Sequence, residues 1–336
     1  MLTSHMNRSD SAGSPLERAP GVAGGRATAA FELLGDETRL AILLALWDAS
    51  EPHAEDDGLS FTDLRDRVGI RQGGQFNYHL DKLVGRFVRK TDEGYGLRRS
   101  GRKLVQSIIA GTGIEDPVLE PTPIDAPCPF CDAPTAITYE RHYVYRVCTE
   151  CDGDVDPGSE HPRGSLSGWT FEPTGLSGRT AEDVYTASTL KTFARIGLRF
   201  EGICPDCSGT VEWSFEVCAD HDASSDGTCP ECGRKRAVVA REACTVCKSA
   251  GVGSPAIKTL LHPAVVSFYY DHGIEVGFTG NTDYTDVVRT LQLVEGFEEE
   301  VRSTDPVRVR VTVSHDEDEL RLLLDEALNV VEVDRG

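Results

Sequence analysis

The stretch Ser60–Arg98 reads SFTDLRDRVGIRQGGQFNYHLDKLVGRFVRKTDEGYGLR. Ser60 is placed to cap a helix, with Asp63 three residues on as its acidic partner. Leu64 and Val68 give that short helix one apolar face, and Gly69 stops it. A second helix is expected from Gly73 to about Arg86. It puts Phe76, Leu80, Leu83 and Phe87 on one face, with Gln75, Tyr78, Asp81 and Lys82 on or near the other. Two short strands, Phe87–Thr91 and Tyr95–Arg98, flank Asp92-Glu93-Gly94, a hairpin turn sequence.

Upstream, residues 27–49 show helical periodicity through Phe31, Leu34, Ile42, Ala45 and Leu46, followed by a polar loop from Ser50 to Gly58. Downstream, a helix from near Ser100 carries Leu104, Val105, Ile108 and Ile109. Helix, helix, turn, helix and β-hairpin is the order of a winged helix-turn-helix domain, expected over residues 26–111. The run Leu34-Gly-Asp-Glu-Thr-Arg-Leu-Ala-Ile-Leu43 resembles the first-helix signature of the arsenical-repressor (ArsR-type) winged-helix regulators. Tyr78-His-Leu-Asp-Lys-Leu-Val84 is similar to their recognition-helix pattern. The whole chain resembles haloarchaeal regulators that join such a domain to zinc-binding C-terminal regions. The resemblance implies sequence-specific binding of double-stranded DNA by a homodimer, with the apolar helix at 104–109 as the dimer element. The family's metal-sensing cysteine pair is missing, since residues 1–127 contain no cysteine, so metal-triggered release by that route is not expected. By the same pattern His79 is structural.

Composition bears on that implication. The 336 residues carry 34 Lys plus Arg against 55 Asp plus Glu, a net charge of −21, which should repel nucleic acid. Residues 71–103, however, hold nine basic and three acidic side chains, a local +6 that leaves −27 for the rest. A basic island on the second helix and hairpin is the footprint of a DNA-binding surface. By the family pattern Arg71, Gln72, Gln75, Asn77 and Tyr78 lie at or just before the start of the recognition helix, with Lys82 further along it. Arg89, Lys90, Arg98 and Arg99 on the wing would hold phosphates. The basic residues are 27 Arg and only 7 Lys, a skew that resembles salt-loving archaeal composition. Hydrophobic content of 39% is enough for packed cores, and no apolar stretch is long enough to span a membrane. With no signal-like apolar segment at the start, a cytoplasmic location is expected.

Ten of the 11 cysteines fall in C-x-x-C pairs: Cys128/Cys131, Cys148/Cys151, Cys204/Cys207, Cys229/Cys232 and Cys244/Cys247. Cys218 and His221 form a sixth pair, so twelve ligands suffice for about three tetrahedral zinc ions, with rubredoxin-like iron as the competitor. Cys128/Cys131 and Cys148/Cys151 flank a hairpin turning near Arg141-His142, a zinc ribbon. The remaining ligands have two pairings. Sequential pairing joins Cys204/Cys207 to Cys218/His221, but Thr210–Val217 has nothing to turn on and as a strand spans about 26 Å. Nested pairing joins Cys218/His221 to Cys229/Cys232 and Cys204/Cys207 to Cys244/Cys247, one group at each end of a hairpin. It is similar to the nesting in the cysteine-rich domain of J-protein co-chaperones, and is favoured. Full shells leave no open position, so the metals are expected to be structural.

The expected class is α+β and multidomain. A disordered tail (1–25) precedes the winged helix, and a linker follows it at 112–127, containing Pro117, Pro121, Pro123 and Pro127. A zinc ribbon (128–179), a helix plus two-zinc hairpin module (180–251) and a small mixed α/β segment (252–336) complete the chain. Thr180–Arg199 is expected as a helix with an apolar stripe through Val184, Leu190, Phe193, Ala194 and Leu198. Ile257–His272 reads as two helices broken at Pro263, with Phe268-Tyr269-Tyr270 in the core. Val307–Val313, Leu320–Leu324 and Val330–Val333 read as strands, while 283–303 fits helix or strand. His262, His272 and His315 stand isolated in the sequence. No nucleophile–base set or phosphate loop is present, so an enzyme is not expected. The expected function is a DNA-binding transcriptional regulator, with no effector assignable. The alternatives are a zinc-ribbon adaptor using its winged helix for protein contacts, and a thiolate redox or metal sensor.

Overall fold

Two units, Met1–Ile114 and Glu115–Gly336, divide the chain. The computed structural model describes residues 32–51, 58–111, 116–154, 160–222, 227–278, 280 and 282–336. The expected tail at 1–25, and parts of the Ser50–Gly58 loop and of the 112–127 linker, lie outside them.

In the first unit Asp36 starts α1 (Glu37–Asp48) by accepting from the Arg39 amide at 3.1 Å. Ser60 starts α2 (Phe61–Val68) by accepting from the Asp63 amide at 3.2 Å, and Gly69, at φ 78°, ends it. The third helix, α3 (Gly73–Leu83), stops three residues short of the expected end. Val84 is extended and Gly85 turns at φ 84°, which frees Phe87 to lead into β1 (Val88–Thr91). Strand β2 (Gly94–Leu97) pairs with β1, and α4 (Arg99–Ile109) follows. Leu59 and Tyr95 exchange both backbone hydrogen bonds beside the hairpin. A Cβ on Gly94 would sit 2.3 Å from the Leu59 carbonyl oxygen, so only glycine allows that approach. Ile42, Leu46, Leu64, Phe76, Leu80, Leu83 and Val105 are fully buried in one core. Phe61 meets Phe76 edge-on at 5.2 Å.

The second unit opens with an antiparallel sheet of β3 (Leu119–Ile124), β4 (Thr135–Glu140), β5 (Tyr143–Cys148) and β6 (Ser165–Thr170), in that order. Strand β3 lies inside the stretch expected as a linker. Its Pro121 and Pro123 are tolerated because β3 is an edge strand. Arg141 (φ 49°) and His142 (φ 65°) form the β4–β5 turn, both in the left-handed region that a tight hairpin demands. A capping box of Thr180 and Asp183 starts α5 (Ala181–Phe200). Strands β7 (Val211–Val217), β8 (Val238–Cys244) and β9 (Ala250–Gly253) form a three-stranded sheet.

Helices α6 (Ala256–Thr259) and α7 (Pro263–Asp271) break at Pro263 as expected. Phe268 and Tyr269 are buried, but Tyr270 is 72% exposed, because it falls on the outer face of α7. Residues 283–303 hold both alternatives in turn: α8 (Tyr284–Glu295), capped by Asp283, then β10 (Glu298–Thr304). Strands β11 (Val307–His315), β12 (Asp318–Leu324) and β13 (Val330–Arg335) complete an antiparallel meander. His272 and His315 do not stand alone, since their rings meet at 4.9 Å beside Asp318.

One core joins residues from β4, α5, β8, α7, α8 and β11–β12, among them Ile137, Tyr185, Val238, Tyr269, Val287 and Leu322. Residues 128–179, 180–251 and 252–336 therefore belong to one unit, not three. Arg146 of β5 is only 2% exposed; its guanidinium donates to Glu295 of α8 at 2.7 Å and to the Ala126 and Pro127 carbonyls. Glu295→Ala strands that cation in the interior and is expected to cost about 3–5 kcal/mol in urea unfolding. A variant as stable as the parent would show that the pair does not hold β5 to α8.

Candidate functional site

The cysteine pairs form tight turns of one repeated design. In four of them the first cysteine's carbonyl accepts from the amide of the residue after the second cysteine: Asp132, Ser208, Gly233 and Lys248. These four residues all have φ between 59° and 70°. The turn aims both sulfurs to one side. Cys148/Cys151 departs from the design: Gly153 supplies the positive φ, and the Cys148 amide bonds Gly164.

Three groups of four ligands result, with all ligand atoms in each lying within 4.8 Å of one another. The first is Cys128, Cys131, Cys148 and Cys151; the second is Cys204, Cys207, Cys244 and Cys247; the third is Cys218, His221, Cys229 and Cys232. The nested pairing is thus the one adopted. The β7–β8 register runs from Val211↔Cys244 to Val217↔Val238, with the second group at one end and the third at the other. Sulfurs stand 3.7 Å apart in Cys128–Cys151, 3.5 Å in Cys131–Cys148, 3.6 Å in Cys204–Cys247 and 3.5 Å in Cys207–Cys244. His221 Nδ1 is 3.5 Å from Cys232 Sγ. A disulfide needs about 2.05 Å, whereas a tetrahedral ion with bonds of about 2.3 Å spaces its sulfurs by about 3.8 Å. The donor sets fit a metal ion.

Local amides prepare one thiolate in each group. Burial opposes ionisation of Cys148, but the Glu150 and Cys151 amides, 3.4 and 3.3 Å from its sulfur, outweigh it and bring the thiol to about 7. The Cys247 amide, joined by that of Val246, draws Cys244 to about 6 against its burial. Burial of Cys229 is likewise overcome by the Asp222, Cys232 and Glu231 amides, leaving it near 7. These thiols are lowered from an ordinary value of 9.0, so their contribution is complete above pH 9 and fades as pH falls through 7 and then 6.

The residues expected to meet DNA sit in the first unit. Arg71, Gln72, Gln75, Asn77, Tyr78 and Lys82 are all exposed at or along α3. Asn77 donates to Asp81 at 2.7 Å, and the Lys82 ammonium lies 5.5 Å from the Tyr78 ring centroid. Lys90, Arg98 and Arg99 are exposed and Arg89 half-buried on and after the hairpin; Arg98 donates to the Gly85 carbonyl. Among the described residues, Arg71, Arg86, Arg99 and Lys103 have no ion-pair partner. His79 faces Asp36, the cap of α1, at 3.3 Å. The sequence reading missed Lys235 and Arg236, which lie against the first group. Their signal was a basic run directly after Cys232 in an acidic chain.

Two family models match the chain. One is described as a domain of unknown function (DUF7351) and covers residues 125–330; the other, a domain of unknown function (DUF7347), covers residues 27–108. No curated protein and no solved structure matches.

Cys131→Ser, His221→Ala and Cys247→Ser, one change per group, are each expected to lower bound metal by about one equivalent per chain. Elemental analysis of the purified chains checks this, and an unchanged stoichiometry in any variant removes that group. Acidification from pH 8 to pH 5 is expected to release the metal.

Proposed function

The chain belongs to the DUF7351 family, whose model spans residues 125–330, and we propose that it is a sequence-specific DNA-binding transcriptional regulator. In this reading α1 to α4 with the β1–β2 hairpin are an ArsR-like winged helix-turn-helix, and three zinc ions hold the second unit. The carrying observation is the outer face of α3. Gln75, Asn77, Tyr78 and Lys82 are exposed there while Phe76, Leu80 and Leu83 are buried, so the face is polar, aromatic and held by a rigid core. Arg71, Arg86, Arg99 and Lys103, without an ion-pair partner among the described residues, supply positive charge around it.

The mechanism follows from those side chains. Gln75, with Arg71 and Gln72 just before α3, offers hydrogen bonds to base edges in the major groove. Asp81 holds the Asn77 amide in place. Lys82 beside the Tyr78 ring fixes an apolar surface suited to a thymine methyl. Lys90, Arg98 and Arg99 hold phosphates and fix register. Ile109, 45% exposed on α4, supports the homodimer reading. The third group's imidazole favours zinc over iron, and four protein ligands at each ion leave none for substrate. Reduced thiols fit a cytoplasmic setting.

Selection of preferred sites from random duplexes tests the proposal. Gln75→Ala and Tyr78→Ala are each expected to weaken the selected site by about 1–3 kcal/mol and to relax preference at one position. Lys90→Ala is expected to weaken all sequences alike and lower the salt slope by about one. If both α3 variants kept the parent's affinity and preference, the assignment would fail.

A further inference from the structure

Three consecutive basic residues follow the Cys229/Cys232 turn of the third group, and each reaches a different partner. Arg234 faces the Cys232 sulfur and donates to Glu216 at 2.6 Å. Lys235 crosses to the first group: its ammonium lies 3.7 Å from Cys151 Sγ and 4.3 Å from the ring centroid of Phe130. Phe130 sits between Cys128 and Cys131. Arg236 stands 5.8 Å from the same ring, donates to Asp154 at 3.0 Å and lies 3.6 Å from Glu299. Asp154 follows Cys151 by three residues. Both of the first group's cysteine turns are therefore gripped from the segment that closes the third.

The chemistry favours this grip. Four thiolates around a divalent ion leave a net charge of −2, and an ammonium donating to one sulfur offsets part of it. Among the described residues, Lys235 is the cation hydrogen-bonded to a sulfur of the first group. Its position depends on the Cys229/Cys232 turn, which the third ion would hold closed.

We infer that Arg234-Lys235-Arg236 couples the first and third metal groups, with Lys235 as the positioning residue that holds the Cys148/Cys151 turn through its contact with the Cys151 sulfur. Loss of metal from the third group withdraws Lys235 and loosens the first. The second group, at the opposite end of the β7–β8 ladder, keeps its metal. The inference rests on the metal reading proposed above.

The test uses the full zinc-loaded chain, challenged with a chelator and an alkylating agent, with the modification rate of each cysteine read by mass spectrometry. Metal content of the parent is measured first. A parent holding no metal ends both readings, whereas a parent holding about three equivalents leaves the coupling to be decided by the variants. Lys235→Met is expected to speed alkylation of Cys128, Cys131, Cys148 and Cys151 roughly tenfold to a hundredfold, with the second group unchanged. Lys235→Arg, which keeps a cation, is expected to restore near-parental rates. His221→Ala, which opens the third group, is expected to speed the first group as Lys235→Met does. Should Lys235→Met lose all three groups together, His221→Ala decides. A first group that stays protected while the third is emptied overturns the coupling.

Discussion

The constraint on which the second unit depends is the unbroken ladder between β7 and β8. Its register runs without a shift from Val211↔Cys244 to Val217↔Val238. Seven extended residues cover about 23 Å, so ligands at the two ends of one strand cannot share an ion. They meet across the ladder instead, and that decides which cysteines belong together. The same ladder needs its ends tied. A two-stranded ribbon is marginal in water, and β9 adds a third strand over only four residues. Cys204, Val211 and Cys244 form a small buried cluster of their own, with Trp213 packed against it. Ligand groups at both ends supply what that cluster lacks.

An arginine stands at each seam between the main core and the ligand groups, buried at two of them and half-buried at the third. Arg146 bonds Glu295 and the carbonyls of Ala126 and Pro127, immediately before Cys128. Arg199 pairs with Glu242, reaches Ser249 at 2.7 Å just after Cys247, and lies 3.5 Å from Asp206 within the Cys204/Cys207 turn. Arg236 takes the third seam, between Asp154 and Glu299. A guanidinium suits this place because its five rigid donors hold several oxygens at once, which an ammonium on a flexible stem does not do. Such pairs add little net stability, since desolvation offsets most of the attraction. Their effect is on geometry: each fixes where a ligand turn sits relative to the core. The excess of arginine over lysine thus has a structural use inside the fold as well as on its surface.

How much of this could be read from the chain varied with the range of the interaction. Helix caps are local, and Ser60 and Gly69 mark α2 to the residue. The ligand set was equally legible, because C-x-x-C turns carry their spacing with them. The nested pairing followed from one long-range fact, the reach of a strand. Proline misled at 119–124: Pro121 and Pro123 suit a linker and an edge strand equally, and only pairing with β4 distinguishes them. Tyr270 misled because three adjacent aromatics cannot all face inward from a helix that turns about 100° per residue. The shared core, the His272–His315 contact and the grip of Lys235 on Cys151 join residues far apart in sequence. No local pattern encodes those.

Charge is the remaining thread. A net charge of −21 opposes general docking on nucleic acid, and that works in favour of the proposed role. A uniformly basic protein binds any duplex through phosphates alone. Here the residues outside 71–103 sum to −27, so non-specific docking by other faces is opposed by repulsion. On the proposed reading the attracting surface is residues 71–103, at +6: α3, the hairpin and the first turn of α4. In concentrated salt that attraction is screened within a few ångströms, and the counterion-release gain shrinks. In that reading, base-edge contacts from Gln75, Asn77 and Tyr78 would then carry a larger share of binding than at low salt. For the proposed regulator, repulsion by the other faces at low salt and the larger share of base contacts at high salt both favour sequence discrimination over general affinity.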